Sequence, residues 1–170
     1  MANKAYACVR TDNMSGTTLG KNLVSIRYKA DGVEAPIENG NLVVVGALME
    51  GERELREGTT PAADSALRNI ALIASEEVDK TKTRDTLSGF RNEAGADCRG
   101  YRLVAGDFFA VTKEAFDADA ELTVGKTIFE LQASTKMRAV DTATGGSTKV
   151  GALYAIEQEG ATTWYVVEVA

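Results

Sequence analysis

Residues 36–46 read PIENGNLVVVG, from Pro36 to Gly46. Asn39-Gly40 is a tight-turn signal, because both residue types tolerate the positive φ that such a turn demands. The turn launches Leu42–Val45, four apolar residues with no polar position between them. A strand with one wet face alternates, whereas a strand with no wet face does not. The run therefore predicts a strand buried on both sides. Ile70–Ala74 reads the same way.

Around these two strands the chain is a series of short apolar segments cut by turn residues. Leu23–Lys29 alternates, with Val24, Ile26 and Tyr28 on one face, and a turn follows at Asp31-Gly32. Tyr101–Val104, Phe108–Thr112, Ile128–Gln132 and Met137–Val140 read as further strands. Val150–Ile156 and Trp164–Val169 form a closing hairpin around Glu159-Gly160, and Thr142–Ser147 (TATGGS) is a hairpin tip. Thr60-Pro61 predicts one short helix running through Arg68, with Thr60 as N-cap and Pro61 at the first helical position. Glu50–Thr60 reads as a charged surface loop. The expected fold is mainly β: a small β-barrel or β-sandwich with one short helix and an extended N-terminal arm. The arm, with a short alternating strand at Ala5–Arg10, occupies residues 1–21. Residues 22–170 form a single β-rich domain with a long polar loop at 76–100.

A chain of 170 residues with 44% hydrophobic and 26% charged positions fits one globular domain with a real core. There is no histidine, which removes the commonest general base and metal ligand and makes a Ser-His-Asp or Cys-His arrangement impossible. No catalytic residue, cofactor or metal-ligand set is assigned. The net charge of −6 disfavours a nucleic-acid partner, although a local basic patch is compatible with it. No apolar run approaches the length that spans a membrane, so no membrane partner is expected. The N-terminus MANKAYACVR lacks the apolar core of a signal peptide, so synthesis in the cytosol is expected. Two cysteines, Cys8 and Cys98, are present. The sequence leaves their pairing open, and without a secretion signal two free thiols are expected.

Three patterns carry chemistry on paper. Ala120–Thr127, AELTVGKT, is close to a phosphate-binding loop, but such a loop follows a buried strand and opens a helix. Here acidic residues precede it and the strand-like IFELQ follows, so the expectation is a turn between strands. The carboxylates Asp107, Glu114, Asp117, Asp119 and Glu121 lack a calcium-loop spacing and read as solvated. Trp164 and Tyr165 are adjacent on one strand and so point to opposite faces: one into a core, the other toward an interface.

The segments PIENGNLVVVG, TTPAADSAL and GYRLVAGDFFAVT, with the C-terminal hairpin, resemble the head decoration proteins of tailed bacteriophages. The resemblance covers residues 36–75 and 100–170 and rests on turn-and-strand motifs. It implies a structural virion protein on the outer capsid surface that stabilises the mature shell by bridging major capsid protein subunits, with self-association, plausibly as a trimer. On that implication Tyr6, Val9 and Arg10 of the arm and Phe90 and Arg91 of the polar loop are capsid contacts, and Trp164 lies at an oligomer interface. A tail-tube or head-tail connector subunit is the alternative. A nucleotide-binding protein using Gly125-Lys126-Thr127 and a host β module binding carbohydrate or peptide rank behind it.

Overall fold

Leu42–Leu48 (β4) serves two cores, which explains its unbroken apolar run. In the computed structural model, which describes residues 5–78, 87–118 and 121–170, Leu42 and Val44 pack outward against a sheet. Val43 and Val45 point into a barrel. Ile70–Ile73 (β6), antiparallel to β4, does the same: Ile70 and Leu72 join the outer core, and Ala71 and Ile73 the inner one.

The barrel is a ring of five strands. Leu23–Ala30 (β2) pairs in parallel with Leu55–Thr59 (β5), β5 pairs with β4, β4 with β6, and β6 with Asp97–Arg102 (β7), which returns to β2. Val33–Glu34 (β3) extends β2 as a hairpin across Asp31-Gly32. Ile26 fills the barrel axis. A Cβ on Gly58 would lie 2.4 Å from Ile26 Cγ2, and one on Gly100 would lie 2.5 Å from Ile26 Cδ1. Both inward positions must therefore be glycine for this isoleucine to fit.

Against the barrel lies an open seven-stranded sheet. Its order is Val9–Arg10 (β1), Phe108–Val111 (β8), Thr162–Val169 (β13), Lys149–Glu159 (β12), Ile128–Gln132 (β10), Ser134–Val140 (β11) and Phe116–Ala118 (β9). Phe109, Phe129, Leu131, Met137, Leu153 and Val167 face the barrel's Leu42, Ile70, Leu72 and Tyr101 and form the main core. The protein is thus mainly β, a barrel packed on a sheet.

Several segments differ from their sequence reading. No α-helix forms at 60–68: one 3-10 turn, Leu67–Asn69, leads into β6. Asn69 and Arg68 stay exposed, and the segment has no apolar stripe to bury as a helix. The Glu50–Thr60 loop contributes β5, and the 76–100 stretch contributes β7 from Asp97 onward, with a 3-10 turn at Leu87–Gly89. Residues 79–86 of that stretch, the first four residues of the arm, and Asp119 and Ala120 lie outside the described residues. The arm is docked from Ala5 onward. Met14 is buried in the main core, and Asp107 accepts hydrogen bonds of 2.9 Å from the backbone and hydroxyl of Ser15.

Glu130 is 1% exposed, on the side of the sheet away from the barrel. It accepts hydrogen bonds from Arg138 Nε at 3.1 Å and from the Thr144 amide at 3.0 Å, which ties the 142–147 hairpin tip to β10. Burial by itself raises its pKa. Hydrogen bonds from Thr144 and Arg138 outweigh burial and hold the carboxyl below its ordinary value. The stabilisation is therefore complete above the unfolded-state value, roughly pH 4.3, and is lost as pH falls through the lower folded-state value. Thermal unfolding followed from neutral pH into acid is expected to show a stability loss in that window which Glu130→Gln reduces. Arg138→Ala, which strands the buried carboxylate, is expected to cost about 3 kcal/mol at neutral pH.

Candidate functional site: the N-terminal edge of the sheet

The arm, the polar stretch and the closing hairpin meet at one edge of the seven-stranded sheet. Thr112 fixes the arm twice: its hydroxyl accepts from the Cys8 amide at 3.1 Å, and its own amide donates to Cys8 O at 3.1 Å. Val9 then pairs with Val111 and Arg10 with Ala110. One residue earlier, the Ala7 amide donates to Glu38 Oε2 at 2.9 Å, and the Tyr6 amide donates to Ser88 O at 2.7 Å. The arm and the polar stretch are therefore one surface.

Two cation–aromatic contacts organise it. The Arg91 guanidinium lies 5.4 Å from the Tyr6 ring centroid and pairs with Glu93 at 3.2 Å. The hydrogen bond to Glu93 raises the Arg91 pKa further. The Arg10 guanidinium lies 4.2 Å from the Trp164 ring centroid and also pairs with Glu159. Glu159 Oε2 accepts from Trp164 Nε1 at 3.2 Å, so one carboxylate holds both partners of the stack. Trp164 is 4% exposed, packed with Cys8 and Ala110 and covered by Arg10. Tyr165 points the other way, edge-to-face with Phe116 at 5.1 Å. Both aromatics of the pair are engaged within the chain.

Of the residues expected to make partner contacts, Tyr6 and Arg91 touch each other, and Arg10 and Trp164 touch each other. Val9 packs on the main core, and Phe90 is half-buried beside Arg91 in sequence. By antiparallel alternation, Cys8 and Arg10 direct their backbone groups to β8, and Val9 directs its own outward. The edge that β1 offers to an added strand is thus short.

Beside it a cavity of about 530 Å3 is lined by Cys8, Ser88, Lys113 and the start of β13, Thr162 to Tyr165. Burial lowers the Lys113 pKa, and its ammonium lies 4.3 Å from the Phe116 ring centroid. Burial also pushes the Cys8 thiol up to about 11, with Glu77, Glu114 and Glu38 adding to the effect. Cys98, in the barrel, is pushed up to about 11 by burial as well. Both thiols are free and protonated at neutral pH. Glu159, Ser88 and Thr112 carry the geometry of this edge and were not singled out by the sequence. Each reaches the arm across a long sequence separation, Glu159 to Arg10, Ser88 to Tyr6 and Thr112 to Cys8, which leaves no local signal.

Gly125-Lys126-Thr127 forms a turn that opens β10. The Gly125 amide donates to Leu153 O, and the Lys126 and Thr127 amides donate to Thr123 O, so these three amides are used within the protein. A phosphate loop needs such amides free. Among the described residues no group of three or more Cys, Asp or Glu is placed to hold a metal ion. No protein-family model, characterised protein or solved structure matches the chain.

Trp164 is the sole tryptophan, so its fluorescence reports on this edge alone. Arg10→Ala is expected to red-shift the emission, raise the acrylamide quenching constant and cost about 1 kcal/mol of stability. Unchanged quenching would show that Arg10 does not cover the indole in solution.

Proposed function

We propose that the protein is a non-catalytic structural subunit that attaches to the outer surface of a bacteriophage capsid. It stabilises the mature shell by bridging neighbouring major capsid protein subunits. The observation that carries this reading is the convergence of the arm, the polar stretch and the closing hairpin on one edge that presents Tyr6, Arg10 and Arg91, of residue types that dominate interface energetics. The resemblance noted in the sequence supports it from a separate direction.

The mechanism is physical. A rigid double-core body is a suitable clamp, because its edge residues are held by long-range hydrogen bonds and need little ordering on binding. Attachment at several points makes weak single contacts durable. The chain's negative charge suits an outward position, away from packaged DNA. Tyr154 and Ile156, at 58% and 44% exposure on β12, offer apolar area for self-association.

Co-sedimentation with mature shells of the phage that encodes the chain tests this. Wild-type protein is expected to pellet with the shells, and the double variant Arg10→Glu/Arg91→Glu to bind about tenfold more weakly or worse. Wild-type protein left in the supernatant would overturn the reading. Rings or tubes of the pure protein in electron micrographs would move it to the tail-tube class.

A further inference from the structure

Cations that the fold does not consume gather at one rim of the barrel. A groove of about 670 Å3 opens there, where β2 and β5 begin and β7 ends, lined by Lys21, Arg56, Arg99 and Arg102. Arg56 lies two residues before the inward-facing Gly58, and Arg102 two residues after the inward-facing Gly100. Each therefore leaves the barrel-facing side of its strand. Among the described residues, neither the Lys21 ammonium nor the Arg102 guanidinium has a hydrogen-bond or ion-pair partner. Arg56 donates to the carbonyl of Gly46 at 3.1 Å, which leaves its charge uncompensated. Arg99 pairs with Glu76 at 3.1 Å across an exposed bridge, a weak and exchangeable contact.

The carboxylates in the groove do not balance these charges. Asp97 is taken by Arg27, whose Nε and Nη2 donate to it at 2.9 and 2.6 Å. Glu54 remains, one carboxylate against the three cations Lys21, Arg56 and Arg102 that no carboxylate pairs. Like charges held close on rigid strands repel one another, a cost that a bound anion removes. This cluster occurs on a chain of net charge −6, so it is a local departure from the charge of the whole molecule.

The geometry points to a binding site for a short acidic segment of a partner protein. Guanidinium forks match carboxylates in bidentate geometry. Leu23 and Val24 line the same groove and supply the apolar surface that Asp and Glu stems, and their neighbours in a peptide, pack against. A nucleic acid would need a long track of cations, and the chain's net charge of −6 opposes it. The site lies on the barrel, apart from the β1 edge, and does not depend on the capsid reading.

Fluorescence anisotropy of the full chain with a labelled hexaglutamate peptide, at low and at physiological salt, tests the assignment. Saturable binding is expected, weakened about tenfold or more by Lys21→Glu and by Arg102→Glu, with hexalysine not bound. Lys21 is exposed on a turn, so its substitution leaves the fold intact. Circular dichroism and thermal unfolding check both variants. Absence of hexaglutamate binding would overturn the proposal, as would binding that neither substitution weakens. Tripolyphosphate bound more tightly than the peptide would overturn the peptide assignment in favour of a phosphate ligand.

Discussion

Asn39 buries a complete amide and satisfies all of it within the chain. Its Nδ2 donates to Ser75 O at 2.9 Å and to Glu77 Oε1 at 3.2 Å, and its Oδ1 accepts from the Ser75 amide and from Asn92 Nδ2. Asn92 in turn exchanges backbone hydrogen bonds with Ile37. Gly40, at φ +82°, brings the turn against the sheet: a Cβ there would lie 3.2 Å from Ala115 Cβ and 3.3 Å from Val111 Cγ1. This one turn therefore sets the entry of β4, anchors the exit of β6, and fixes the distance between barrel and sheet. A partner lost from this network leaves a buried polar group unpaired, at about 1–3 kcal/mol for each.

The consequences reach the sheet edge. The Ala7 amide bonds to Glu38, the residue before Asn39, and Cys8 O lies 3.6 Å from the position a Gly40 Cβ would take. The arm is thus seated on the same turn that joins the two layers. Tyr6, Arg10 and Trp164 take their positions from it. The basic rim of the barrel depends on the second effect of the architecture, the closure of β2 on both β5 and β7, which brings Arg56, Arg99 and Arg102 to one mouth.

What the sequence showed follows from where the apolar signal lies. Leu42–Val45 and Ile70–Ile73 are buried on both faces, and their unbroken runs said so. The closing hairpin and the β8 segment were also legible. The strand β5 was not, and β7 was legible only at its end, Tyr101-Arg102, within the strand read over Tyr101–Val104, because the ring uses Gly58 and Gly100 where a strand normally shows Val or Ile. Ile26 fills the space that those side chains would have occupied. Charged residues on the outer faces of both strands completed the appearance of loop. The residues Tyr6, Arg10, Arg91 and Trp164 were picked out by type. Their pairing, and the parts played by Glu159 toward Arg10 and by Thr112 toward Cys8, depend on contacts between segments far apart in sequence and have no local signature.

The aromatic and cationic contacts of the β1 edge are what the proposed capsid role rests on. That proposal is tested most directly by quantitative mass spectrometry of phage particles purified from the source organism, which gives the copy ratio of this chain to the major shell protein. A ratio of one to one, or a simple fraction of it, is the predicted result and places the chain on the shell lattice. Its absence from the particles, or a handful of copies in each, would contradict the account.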